Sequence, residues 1–370
     1  MIRTVTKNNI HKLPSVIAIG VVLVVACFVS VLTPRPIQAL VTPSSTSSPP
    51  SNGVSSLKNF RPIIPGSNLY RSATLDDLTE EDTERLLNGS AFFFDSDENS
   101  SSKKGLAAVI DLRNNDEIER GKSKRTKGSN DLYDCLDDSS DHDINFISIP
   151  ILNNVNEFWE ETINTMDTNE RIIATLKTVF VGGALDRAAA RHLEKGGLSL
   201  LYKIMIKNNA SSIQLAKALD VCLQISEESM TTNGTSRPII FHCQKGKDRT
   251  GILAMLLQIC LAGEEENEKY DDAEIIDAYS LSGELLNEMP NNNKQQQQQQ
   301  QQTQTSSTST SSTIDWSYFR GSPSSAMHDT LSSIRQQYGS VEGYLDSISF
   351  DKEKRSRLRK CCSSSRTKII

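Results

Sequence analysis

The sequence predicts an α/β protein: a single domain with a mainly parallel central sheet flanked by helices. Two observations carry that expectation. Short apolar runs of strand length alternate with longer stretches of helical periodicity along most of the chain. One such run, Pro238-Ile239-Ile240-Phe241, leads through a polar loop into Ile252–Leu261, an almost unbroken helix-forming segment. A loop at the C-terminal end of a parallel strand is where open α/β sheets bind their ligands.

The elements follow in chain order. Arg3, Lys7 and Lys12 precede an apolar run, 16–32, that is broken only by Gly20 and Ser30 and stopped by Thr33-Pro34-Arg35-Pro36. The run is just long enough for a membrane span and somewhat long for a signal core, so residues 1–40 read as a signal, anchor or targeting segment. Secretory-pathway entry or membrane anchorage is the expected address. The absence of acid through residue 75 also fits a bipartite presequence for a plastid or other organelle. Residues 41–57, rich in Ser and Pro, read as a disordered linker. Order is expected from 58 to 350.

Within that range, Thr79-Glu80-Glu81-Asp82 resembles a capping box opening a helix to about Leu87. A polar loop at 95–105 precedes a strand over Leu106–Leu112, and Asp116-Glu117 begins the next turn. Asn145–Ile151 reads as a further strand. Residues 156–206 are helical in pattern, interrupted at Gly182-Gly183 and Gly196-Gly197, and Ile213–Leu223 is an amphipathic helix. Past the motif helix, Asp271–Leu286 is helical. A low-complexity insertion at 291–313 contains eight consecutive glutamines, 295–302, with no apolar anchor to fold it. Met327–Tyr338 is helical again, 339–345 closes the domain, and 351–370 reads as a basic tail.

Charge and cysteine usage exclude several functions. The net charge is −6, yet residues 1–75 carry seven Lys/Arg and no Asp or Glu, so 76–370 sum to −13. An acidic body around a basic loop argues against nucleic acid as substrate. The seven cysteines form no CxxC pair and no Cys/His cluster at zinc spacing, so neither a disulfide framework nor a metal site is expected.

The chemistry concentrates in Phe241-His242-Cys243-Gln244-Lys245-Gly246-Lys247-Asp248-Arg249-Thr250-Gly251. The spacing from Cys243 to Arg249 lets the backbone curl so that successive N–H groups point inward at a helix start, a ready-made anion site. That field favours a thiolate at Cys243. Arg249 can return from the helix start to grip two phosphate oxygens, and Thr250 can donate its hydroxyl to the sulfur. Gly246 and Gly251 permit close approach to a ligand. Gln244, Lys245 and Lys247 complete the loop, with the lysines adding positive charge at its rim. A buried cysteine beside a surface arginine would leave this combination unexplained.

This motif resembles that of the cysteine-dependent phosphatase superfamily. Gly-Lys-Asp-Arg-Thr-Gly is similar to its atypical protein-tyrosine/dual-specificity branch, which includes bacterial secreted tyrosine and lipid phosphatases. Phe-Arg, Leu-Tyr-Arg-Ser and Val-Ile-Asp-Leu-Arg occur in family order near the start. Met-x-x-Thr-Leu-x-x-Ile with Tyr-Gly-Ser-Val-x-x-Tyr-Leu near the end extends the resemblance over about 59–350. The resemblance implies a cysteinyl-phosphate mechanism with Cys243 as nucleophile and Arg249 holding the phosphoryl oxygens, without metal or cofactor. Its general acid is sought first after Pro150, where Ile151-Leu152-Asn153-Asn154 offers no Asp. Asp248 becomes the first candidate and Asp111 the second, while His242 reads as an orienting residue. Expected partners are phosphorylated protein or, since Lys245 and Lys247 suit several charges, phosphoinositide or inositol phosphate. Membrane association through the N-terminal segment is a further expectation. A phospho-ligand binding module with weak turnover is the non-enzymatic alternative.

Overall fold

A computed structural model describes residues 54, 56–92, 105–124, 144–230, 236–262, 271–287 and 316–362. The apolar run at 16–32 and the glutamine-rich insertion lie outside these residues. Among those described, no helix is long and apolar enough to cross a membrane.

Five strands form one sheet: β1 (Arg61–Pro62), β2 (Leu69–Ser72), β3 (Ala108–Asp111), β4 (Asn145–Ser148) and β5 (Ile239–His242). The spatial order is β1-β2-β5-β3-β4; only β1 runs antiparallel to its neighbour. Strand β5 lies in the middle, with Ile240 opposite both Tyr70 and Val109. All four of its residues are buried, as a parallel strand covered on both faces requires. Side chains alternate between faces with a period of two. Ile239 and Phe241 therefore enter the large helical core, whereas Ile240 enters a smaller cluster with Phe60, Tyr70, Leu86 and Phe92. Tyr70 and Phe92 meet edge to face at 4.8 Å, which adds about 0.5–1.5 kcal/mol beyond their burial. Val54 and Leu57 join this cluster, so part of the stretch expected as linker packs in the core.

The helices are α1 (Glu80–Leu87), α2 (Asn115–Lys124), α3 (Val155–Asn164), α4 (Thr168–Phe180), α5 (Ala184–Lys207), α6 (Asn209–Glu228), α7 (Arg249–Leu261), α8 (Asp272–Leu285), α9 (Ser324–Tyr338), α10 (Val341–Ser347) and α11 (Lys352–Cys362); a 3-10 turn covers Trp316–Phe319. Thr79 caps α1 by accepting from the Asp82 amide at 3.2 Å, as its sequence implied. The helical region 156–206 breaks at three places. Asp167 opens α4 by accepting from the Asn169 and Glu170 amides. Gly183 precedes α5, and Gly197, at φ 54 and ψ −145, kinks it. Helix α7 is buried on every side, at all but one of its positions, and is the central helix of the core.

A second boundary also differs from expectation. The basic tail placed at 351–370 is instead core as far as 362. Helix α11 packs on α6 and α7, burying Leu358, Cys361 and Cys362. Its stripe of Arg355, Leu358 and Cys361/Cys362 recurs at helical spacing, but the surrounding Lys and Arg hide it in the composition. Arg355 is itself buried and donates to Asp346 at 2.6 Å.

Candidate active site

The sheet delivers Cys243 one residue beyond β5, and α7 begins six residues later at Arg249. Between them the loop is fixed from outside by its carbonyls. Gln244 O accepts from the Thr74 amide at 3.2 Å. Lys245 O and Gly246 O accept from Asn59 Nδ2 at 3.2 and 2.8 Å, and Gly246 O also from Arg71 Nη2 at 2.7 Å. A peptide plane with its carbonyl held outward turns its N–H the other way. Three consecutive planes held so make the inward amide ring that the loop's spacing implied. Gly246 sits at φ +68, and a Cβ there would lie 2.1 Å from Ser72 O, so no side chain fits between loop and β2.

Arg249 is buried and held by a partner the sequence reading missed. Its Nη1 and Nη2 donate to Glu117 Oε2 and Oε1 at 2.6 and 2.7 Å, a fork-on-fork pair from α2. Burial would raise the Glu117 carboxyl, but the charge and hydrogen bonds of Arg249 overcome it and hold the carboxyl below its usual range. The Asn114 amide donates to Glu117 Oε2 at 3.0 Å and fixes that side chain at the start of α2. The only sequence signal was Asp116-Glu117 after Val-Ile-Asp-Leu-Arg, which read as a turn.

Asp248 stands at the N-cap of α7 but makes no side-chain bond to the helix amides. Its Oδ1 accepts instead from the buried Tyr202 hydroxyl at 2.6 Å, and Tyr202 and Tyr279 hydroxyls meet at 2.8 Å. Burial, reinforced by the negative Asp248, raises the Tyr202 phenol well above its ordinary value, so it is a donor at any working pH. Tyr202 comes from the second half of α5, past the Gly197 kink. The apolar stretch 197–205 thus packs in the core and also reaches the loop.

Lys247 differs from expectation. Its side chain is not at the rim but buried, with Nζ donating to Phe319 O and Gly321 O at 2.9 and 2.8 Å, and 3.2 Å from Asp248 Oδ1. It ties the loop to the turn at Trp316–Phe319. Lys245, Gln244 and Asp248 are the partly exposed loop residues.

The other candidates are placed as follows. Asp111 and His242 are opposed in register at the ends of β3 and β5, with His242 Nε2 3.8 Å from Asp111 Oδ2. Both Asp111 oxygens accept from Arg113, at 2.8 to 3.0 Å, and burial of Asp111 is outweighed by His242 and Arg113, which hold its carboxyl low. That is a carboxylate committed to structure. Burial pushes the His242 imidazole down, opposed by Asp111, and its Nδ1 lies 3.4 Å from Cys243 O. Thr250 Oγ1, one residue into α7, is buried with no partner among the described residues. Gly251 lies under Tyr279, where an added Cβ would be 3.2 Å from the ring.

Arg71 is a second residue missed by sequence reading. Buried under the loop, it also donates to Ser282 Oγ at 3.1 Å. Burial lowers it to about 10, opposed by Cys243, Tyr279, Tyr202 and Asp248. Among the described residues no group of His, Cys, Asp and Glu is arranged to hold a metal ion.

With the geometry in place, comparison with known proteins is specific. The chain is similar to a tyrosine-protein phosphatase of Nostoc commune, 31% identical over 121 residues, which is 33% of this chain. The match spans 37% of that relative's length, about a third of the curated protein. Residues 58–362 match the tyrosine phosphatase family, a range that begins at the ordered N-terminal segment and ends with α11, so the chain belongs to that family.

Proposed function

We propose that the chain is a cysteine-dependent phosphatase that hydrolyses phosphomonoesters through a cysteinyl-phosphate, with phosphotyrosine as the leading substrate. The observation that supports this best is the loop 243–249. Its carbonyls are pulled outward by Asn59, Arg71 and Thr74, and its arginine is locked by Glu117. Such a cradle is preorganised for three phosphoryl oxygens, and preorganised donors stabilise a transition state without reorganising. In the first step Cys243 Sγ attacks phosphorus and the bond to the leaving oxygen breaks as Asp248 protonates it. Tyr202 and Lys247 both address Asp248 Oδ1, which leaves Oδ2 to hand over the proton. In the second step water attacks phosphorus, Asp248 takes its proton, and the P–S bond breaks to return the thiolate. The Thr250 hydroxyl, without a partner among the described residues, is the group to receive the developing charge on sulfur.

Cys243 is 2% exposed, at the floor of the loop, which favours a phosphate carried at the end of an aromatic ring over one on a short serine side chain. A phosphoinositide is the second reading, supported by Lys245 on the partly exposed side of the loop. Delivery to the secretory pathway or a membrane by the apolar run 16–32 belongs to the same proposal. The test is Cys243→Ser, which should abolish turnover of an aryl phosphate while vanadate still binds. Turnover within about tenfold of wild type would sink the mechanism. Rates on a phosphotyrosine peptide, a phosphoserine peptide and phosphoinositide vesicles, measured side by side, decide the substrate. Vanadate binding with no turnover on any of them would make the chain a binding module.

A further inference from the structure

Helix α4 is built inside out. Its large apolar residues Ile172, Ile173, Leu176, Val179 and Phe180 are exposed at 50%, 51%, 61%, 78% and 88%, and Val181 follows at 54%. At 100° per residue those five helical positions fall within an arc of about 120°, a continuous stripe on one face. The helix packs by its opposite side. Ala174, about 160° from the stripe's centre, is its buried residue, and Thr178 Oγ1 accepts from the Leu185 amide at 3.0 Å. An amphipathic helix that buries a small residue, Ala174, and offers its apolar side to solvent marks an interaction surface.

The charge around the stripe selects the partner. A groove of about 510 Å³ between α4 and the start of α5 has an apolar floor that includes Ile173, Val181 and Ala188. Lys177, Arg187 and Arg191 line it with Glu170, and the Asp186 carboxylate lies beside Arg187 near Gly183. This is a cationic rim on a chain whose net charge is −6. Exposure climbs along the stripe to Phe180 at the hairpin tip, ahead of Gly182-Gly183. An apolar tip with cations about one to two turns behind it matches the depth profile of an anionic bilayer, acyl chains beyond phosphates. A second copy fits less well, since an isologous pairing would set cationic rim against cationic rim. Helix α5 runs from the tip to its kink at Gly197, on the order of 20 Å at 1.5 Å per residue.

We propose that the α4–α5 hairpin is a membrane-docking surface, with Val179, Phe180 and Val181 entering an anionic leaflet and Lys177, Arg187 and Arg191 at its headgroups. This holds whatever the phosphatase substrate, and independently of any anchor at 16–32.

The test reads the tip itself, in the full chain. Phe180→Trp adds a fluorophore at an exposed site, and the unmodified chain gives the background from Trp159 and Trp316. The probes are vesicles of phosphatidylcholine alone, vesicles with about one-third phosphatidylserine, and the same pair carrying brominated acyl chains. The added emission should shift to the blue and be quenched by brominated chains only in the anionic vesicles. Arg187→Glu with Arg191→Glu should remove that response at unchanged melting temperature. In the otherwise unmodified chain, Phe180→Glu should weaken affinity for anionic vesicles roughly tenfold or more. Because the reporter is local, attachment through residues 16–32 cannot imitate the result. Added emission that stays unquenched in both brominated vesicles overturns the proposal. So does a blue shift without vesicles that grows with protein concentration, which would assign the stripe to a second copy. Equal quenching in neutral and anionic vesicles refutes the role given to the cations.

Discussion

Glu117 is the most consequential residue outside the motif, and replacing it gives a quantitative check on the site. Its pair with Arg249 comprises two charge-assisted bonds of 2.6 and 2.7 Å between side chains that are 5% and 7% exposed. Removing one member of a buried pair leaves the other charge unmatched, at about 3–5 kcal/mol. Glu117→Gln keeps one accepting oxygen, worth roughly 1 kcal/mol, so a loss of about 3 kcal/mol is expected. At ~2–4 °C per kcal/mol for a domain of this size, melting should fall by about 6–12 °C. An Arg249 no longer pinned also holds the phosphoryl oxygens less well, and kcat/KM on an aryl phosphate should fall roughly 10- to 100-fold. Glu117→Leu with Arg249→Met supplies the control: with both charges gone, the double variant should melt above either single one, though inactive. Melting within about 1 °C of wild type for Glu117→Gln, with kcat/KM within about twofold, would refute the claim that this pair organises the site.

Other expectations follow from single contacts. Gly246→Ala must move either Ser72 or the loop, and should weaken vanadate binding at least tenfold, read by inhibition of aryl phosphate turnover. Tyr202→Phe removes the donor to Asp248 Oδ1 and should slow hydrolysis of an alkyl phosphate, which needs a proton on its leaving group, more than that of an activated aryl phosphate; equal losses on the two would deny Tyr202 a role through Asp248. His242 has a depressed folded-state value, so the unfolded chain binds more protons there. Its contribution is complete above about pH 6.5 and is lost as pH falls below that, with a slope of up to ~1.4 kcal/mol per pH unit, and His242→Asn should flatten the denaturant midpoint between pH 7 and 5. Glu117, also depressed in the fold, adds a second loss below about pH 4.5 by the opposite chemistry, protonation of a carboxylate that the folded state keeps charged. Deleting 291–313 should leave melting and turnover nearly unchanged, since loop closure varies only with the logarithm of length; a drop of several degrees would show that the tract is packed.

What the sequence disclosed and what it withheld divide by range along the chain. The strand into Cys243, the loop and α7 are contiguous, so local patterns of apolarity, glycine and charge suffice to expose them. The cap at Thr79 and the start of α8 at Asp271 are legible for the same reason. Glu117, Arg71, Asn59 and Tyr202 are each separated from the loop by tens of residues or more, and each acts through one or two hydrogen bonds made by tertiary packing. A glutamate in a first helical turn looks like any N-terminal acid that complements a helix dipole, and only the fold shows that it faces Arg249. Lys247 misled because a lysine beside a phosphate motif ordinarily means surface charge. Here the turn after Trp316 supplies two carbonyls that satisfy it in the interior. Helix α4 carries an apolar stripe at helical spacing, which ordinarily means core. A stripe fixes which face of a helix is apolar, whereas the direction of that face depends on what packs against the other side. For α4 that was decided by Ala174 and Thr178 against α5, and the stripe was left facing outward.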